Sequence, residues 1–220
     1  MKHQQSGFTL VEIAIVLVIV GLLLGGVLKG QELINSAKAK SYAQDFRTIQ
    51  SALYGFQDRY KGIPGDLAGA NTKITGATLA TTPTVAGVGN GQINGVWDTV
   101  TATDESCLAW QHMRLAGFMA GATTAVCTTG DSYVQVNADG GRIGISSTMH
   151  ITGMTGSYNI CSDGVLGKIA KQLDTQLDDG VSNTGSFRII ARATAPATAG
   201  AAVAQASVDD ATAYTVCLAF

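Results

Sequence analysis

The chain has 220 residues, enough for one or two domains with a core of their own, and a formal charge of −2. With 14 basic against 16 acidic side chains, it lacks the basic excess that draws a protein to nucleic acid or an anionic membrane surface. Four cysteines (Cys107, Cys127, Cys161, Cys217) form no CxxC pair, and the histidines (His3, His112, His150) do not cluster with them. No zinc site is expected from that spacing, and neither a metal nor another cofactor is expected elsewhere.

A short hydrophilic leader, Met1–Ser6, is followed by Gly7 and an apolar run from Phe8 to Leu28, whose polar residues apart from glycine are Thr9 and Glu12. As a helix rising ~1.5 Å per residue, this run spans about 30 Å, the hydrocarbon core of a bilayer. A secretory signal peptide fits poorly: the run exceeds the usual ~7–15 apolar residues, and no A-x-A-like site follows it. A plain signal anchor explains the length but leaves Glu12 without a reason. At the centre of a spanning helix a carboxylate is disfavoured by about 2.5–3.5 kcal/mol, which snorkelling and the positive helix pole reduce near the N-terminal end. A charge retained there calls for a cationic partner.

The stretch Gly7-Phe8-Thr9-Leu10-Val11-Glu12, set between a hydrophilic leader and an apolar run, resembles the class III signal of type IV pilins and pseudopilins. The resemblance implies that a prepilin peptidase cuts between Gly7 and Phe8 on the cytoplasmic side and N-methylates Phe8. It also implies that Glu12 meets the Phe8 amine of a neighbouring subunit during assembly, which supplies such a cation. Many pilins carry a proline eight residues after the glycine that corresponds to Gly21; here that position is Lys29. Lys29 is therefore read as the outer membrane–water boundary, although Gly21, Gly25, Gly26 and Gly30 each weaken a helix by up to ~1 kcal/mol relative to Ala.

Beyond Leu28 the pattern becomes striped. Tyr42, Phe46, Ile49, Leu53, Phe56 and Tyr60 share one helical face, opposite Gln44, Asp45, Arg47, Gln50, Gln57, Asp58 and Arg59. The spacing is compatible with a coiled-coil seam, but aromatics of this size suit packing against a sheet. One helix from Phe8 to Tyr60 is expected, closed by Gly62-Ile63-Pro64-Gly65-Asp66.

Residues 67–103 read as a long loop rich in Gly, Thr and Ala that includes Trp97. Thr103 or Asp104 offers an N-cap for a helix through about Phe118. Strands are expected at Ser132–Val136 and Arg142–Ser146, joined by Asp139-Gly140-Gly141, and at Ser157–Cys161, Phe187–Ala191 and Tyr214–Phe220. Val165, Leu166, Ile169, Leu173 and Leu177 mark a second amphipathic helix ending before Gly180, and Ala193–Ala206 a linker. The fold class is α+β: a long N-terminal helix against a small antiparallel sheet with extra helices and long loops. In the pilin fold that this resembles, the apolar half of the helix protrudes.

Four cysteines allow three pairings, which sequence leaves open. The expected pairs are Cys107–Cys127 and Cys161–Cys217, the second resembling the disulfide-bounded C-terminal region of many pilins. Asp174, Asp178 and Asp179 with Asn183 group hard oxygen ligands, but the EF-hand pattern is absent, and a helix end followed by a polar turn accounts for them. Gly87–Gly91 lacks the Lys-Ser/Thr of a phosphate loop, and Ser146, Ser147 and His150 lack a nucleophile-elbow context.

The expected organisation is a leader (1–7), a transmembrane and filament-core helix (8–28), its amphipathic continuation (29–61) and an exported domain (62–220). The expected function is that of a non-enzymatic structural subunit of a type IV pilus-like filament, a homo-oligomer built through its N-terminal helix. Its partners are then the prepilin peptidase, an inner-membrane platform with its ATPase, and lipid before assembly, with no nucleic acid. It resides in the inner membrane first and in an extracellular filament afterwards. A pseudopilin or minor tip subunit of a type II secretion system, or an anchored adhesive protein that never polymerises, is the alternative.

Overall fold

The computed structural model describes residues 10–82, 88–128, 130–192 and 199–220. The elements are α1 (Leu10–Tyr60), α2 (Ala70–Lys73), α3 (Glu105–Leu115), β1 (Ile143–Ser146), β2 (Asn159–Leu166), α4 (Gly167–Leu177), β3 (Phe187–Ala191) and β4 (Ala213–Ala219), with one 3-10 turn at Gln205–Ser207. The chain divides into two units, one ending at Ala37 and the other running from Lys38 to Phe220.

In the second unit the strands form one antiparallel sheet of order β1-β2-β4-β3. The helical stripe predicted from sequence packs into the core beside it: Tyr42, Phe46, Ile49, Leu53 and Phe56 are all at most 1% exposed, and the Phe46 ring meets Phe187 of β3 edge-on at 6.1 Å. Each such side chain contributes roughly 1.5–3 kcal/mol by leaving water. This excludes a coiled-coil seam as the role of that face. Beside the stripe, Tyr42 donates its hydroxyl to Asp139 Oδ2 at 2.9 Å, and Lys38 pairs with the same carboxylate. The turn after Val136 is thereby tied to the helix.

α1 stops where Lys61 enters the left-handed region at φ 50°, followed by Gly62 and Pro64. Gly65 then passes so close to α3 that a Cβ there would lie 2.2 Å from the Glu105 carbonyl oxygen, so only glycine fits. The loop is held by Asp66, which is 3% exposed and accepts N–H bonds from Asn90 (3.2 Å) and Gly91 (2.7 Å) and a further one from Gly89. The glycine-rich loop is thus a cradle for a carboxylate of the chain itself.

Two expected elements differ from those observed. Ser132–Val136 is not a strand, because the chain curls around Asp131. The Asp131 carboxylate accepts the Tyr133 N–H, and the Val134 N–H reaches the Asp131 carbonyl. One bridge, Val136 to Arg142, remains of the expected pairing, closed over Asn137–Gly141. Val165 and Leu166 belong to β2 rather than to the second amphipathic helix: past an irregularity at Asp163-Gly164 they pair with Tyr214 and Ala213, and α4 begins at Gly167. Of the expected Ala/Thr linker, residues 193–198 lie outside the described ones.

Both expected disulfides form. Cys107–Cys127 fastens α3 to the loop after it, and Cys161–Cys217 joins residues directly opposite on β2 and β4.

Candidate functional site: the apolar half of the N-terminal helix

The described part of α1 up to Leu28 is apolar on every side. Leu10, Val11, Ile13, Ile15, Val16, Leu17, Val18, Ile19 and Val20 follow almost consecutively and are all exposed, Leu10 at 90%. One 18-residue window of this helix is long and apolar enough to cross a membrane, and none of that window is buried. A helix that is apolar all round has no stable solvent-facing side in water, so it requires lipid or other protein as its surroundings. Gly21, Gly25, Gly26 and Gly30 do not interrupt it, and a Cβ at any of them would meet nothing within 4 Å. Lys29 and Glu32 pair at 2.7 Å, both side chains more than half exposed, where the apolar run gives way to the polar part of the helix.

Glu12 stands in the first turn of α1, exposed among these apolar neighbours. The first-turn amides carry the positive end of the helix dipole, which favours a carboxylate at this position over one in mid-helix. Gly7 and Phe8, the expected cleavage and methylation positions, lie outside the described residues.

Other chemistry singled out in the sequence is committed to structure. Ser146 Oγ donates to the Gly95 carbonyl and accepts the Thr148 N–H, Ser147 Oγ accepts the Ile93 N–H, and His150 lies edge-on to Trp97. Sequence reasoning missed the polar interior of α3. Gln111 spans Thr78 and Thr123, and Arg114 donates to the Ala122 and Tyr133 carbonyls, at 2.8–2.9 Å in each case. Both are less than a tenth exposed and hold the long loops in place. No signal in one sequence separates such residues from the solvated side of a helix.

One group of carboxylates remains. Asp174, Asp178 and Asp179 each place an oxygen within 4.8 Å of the others at the C-terminal end of α4. Burial, followed by the negative charge of Asp179 and then of Asp178, raises the Asp174 carboxyl to about 6; the Gly180 amide acts the other way without closing a hydrogen bond. These are the described residues most suited to holding a cation.

Residues 2–28 match the family described as the prokaryotic N-terminal methylation motif. No curated protein matches the chain. The matched segment takes in Gly7, Phe8 and Glu12 together with the whole apolar run, and it implies processing by a prepilin peptidase at a membrane. The chain therefore carries the prepilin-type cleavage and methylation signature of type IV pilins and pseudopilins, joined to a pilin-like α+β fold.

Proposed function

We propose that this protein is a non-catalytic structural subunit of a type IV pilus-like extracellular filament. The observation that carries the reading is the methylation motif placed directly on a helix that is apolar all round and bears one carboxylate in its first turn. Cleavage after Gly7 removes the leader with Lys2 and leaves the Phe8 amine as the cation at the new N-terminus. The apolar side chains are acceptable to lipid and to a bundle of identical helices alike. Glu12 distinguishes the two, since only the bundle brings the Phe8 amine of another subunit to it. Breaking such a sheltered ion pair costs about 3–5 kcal/mol, so a misplaced subunit is rejected. An inner-membrane platform and its ATPase extract the subunit from lipid, and the domain from Lys38 onward forms the filament's outer coat.

Mass spectrometry of the mature protein tests this reading, with an N-terminus expected at Phe8 carrying one added methyl group. An intact Met1, or cleavage elsewhere, would overturn it. Glu12→Ala is expected to leave processing and membrane insertion unchanged while sheared surface fibres lose the protein; normal fibres would remove Glu12 from the assembly step.

Lys29 in place of the family's proline supports a narrower second reading, a pseudopilin or a minor tip subunit of a type II secretion system. Abundance in sheared fibres separates the two: a major pilin dominates the preparation, and a tip subunit is a trace component.

A further inference from the structure

Where α1 ends, its last turn, the residues after it and the glycine-rich loop enclose a cavity of about 460 Å³, within the range of small-molecule sites. One wall of it carries backbone strain. Lys61, at φ 50°, is the one non-glycine residue in the left-handed region among those described. Glycine adopts that conformation freely and lysine does not, yet Gly62 stands one place later. Neither the helix end nor an ion pair explains a lysine here. Arg59 already gives the last turn a basic residue, and the Lys61–Asp58 pair, with both side chains more than three-quarters exposed, contributes little. Strain of this kind concentrates at ligand sites.

The charges that a ligand would meet are positive. Lys73 also lines the cavity, is exposed and has no carboxylate partner among the described residues. Asp66, the one carboxylate among the described lining residues, is 3% exposed and spent on the amides of Gly89, Asn90 and Gly91. That arrangement disfavours phosphate, because the backbone N–H groups that would cradle it are already taken. What remains is a pair of separate ammonium groups, suited to a carboxylate on a larger body. Ile63 and Leu67 offer that body an apolar floor, and Gly91, where a Cβ would meet nothing within 4 Å, keeps the opening free of side chains. Gln57 donates its amide N–H to the Tyr158 hydroxyl at 3.1 Å, which leaves its oxygen for a ligand hydroxyl.

We propose that this cavity binds an acidic sugar, a polyhydroxylated ring whose carboxylate is held by Lys61 and Lys73. The C–H face of the ring lies on Ile63 and Leu67, and a hydroxyl donates to Gln57. Every lining residue belongs to the unit from Lys38 to Phe220, so the site stands or fails independently of the pilin reading.

The test is calorimetric titration of a glucuronic-acid disaccharide into the full chain, held in non-ionic micelles without sugar headgroups. One equivalent is expected to bind with a Kd at or below about 1 mM, and salt at about 0.5 M is expected to weaken it because both ammonium groups are exposed. Lys73→Ala is expected to weaken binding roughly tenfold. Lys61→Gly is expected to weaken it to a similar degree while raising the unfolding midpoint by about 2–4 °C, because the strain leaves with the lysine. Affinity unchanged in Lys61→Gly, or no binding heat up to about 10 mM disaccharide, would overturn the proposal. The carboxyl-reduced disaccharide, which is neutral, is expected to bind at least about tenfold more weakly. Equal binding of that neutral sugar would overturn the role of the lysines, and equal binding of inorganic phosphate would overturn the assignment to a sugar.

Discussion

His112 on α3 is fully buried with both ring nitrogens committed. Nδ1 accepts the Gly65 N–H at 2.9 Å, so the proton resides on Nε2, which donates to the Thr78 carbonyl at 2.8 Å. A second proton would set two donors against each other at Nδ1. Burial lowers the pKa of this ring, against the Thr78 hydrogen bond, and His150 is lowered likewise by burial against the field of Asp98. A folded-state pKa below the unfolded value of about 6.5 means that the native state binds fewer protons. The stability these rings contribute is therefore complete above about pH 6.5 and is lost as pH falls through their folded values. These two rings are expected to lower denaturant midpoints between pH 7.5 and 5, a drop partly offset by proton uptake at the raised Asp174 carboxyl. His112→Asn, which keeps an acceptor for Gly65, is expected to cost about 1–3 kcal/mol at pH 7.5 and to flatten part of that drop. An unchanged slope would assign the acid sensitivity to other groups.

At the scale of elements, the Cys161–Cys217 link decides how the sheet is closed. It joins opposed residues of β2 and β4, the two central strands, across a sequence separation of 56 that includes α4 and β3. Loop entropy alone gives it about 4 kcal/mol, and replacing both cysteines with alanine is expected to lower stability by about 2–4 kcal/mol, read from urea unfolding of the full chain in micelles. A loss below 1 kcal/mol would show that the sheet's hydrogen bonds already fix that closure. How far the elements were legible follows from how each is made. The stripe from Tyr42 to Phe56 was readable because burial on one side imposes a 3.6-residue period, and Phe187–Ala191 because it is a short β-branched run between polar turns. Ser132–Val136 was not, since Asp131 captures the backbone amide that a strand would have used. The split at Leu166–Gly167 was hidden for a similar reason: Val165 fits the α4 face by spacing, and only pairing with Tyr214 shows it to be strand. At the candidate site Glu12 was conspicuous as one charge in an apolar run, whereas Asp174 looked like any helix-end acid until its burial was known.

On the scale of the whole molecule, two kinds of surface share one chain. On α1, burial begins at Ala39; the large apolar residues from Leu10 to Ile34 are exposed, and those to Leu28 account for the span that can cross a membrane. The unit from Lys38 to Phe220 contains the sheet, α2, α3, α4 and both disulfides, with a core drawn from all of them except the apolar run. Residues 10–28 thus contribute no buried side chain to that core. A fragment starting at Lys29 keeps the Lys29–Glu32 pair and every buried side chain of α1. It is expected to be monomeric and soluble without detergent, to contain no free thiol, and to melt in one cooperative transition. The full chain should require lipid or detergent under the same conditions. Sedimentation and calorimetry of the fragment check this, while its absence from fibres when co-expressed with the full chain checks that assembly runs through the removed segment. A fragment that aggregates or melts gradually would mean that the apolar helix supports the domain as well as anchoring it. A soluble fragment that still enters fibres would move the subunit contact from the helix to the domain surface.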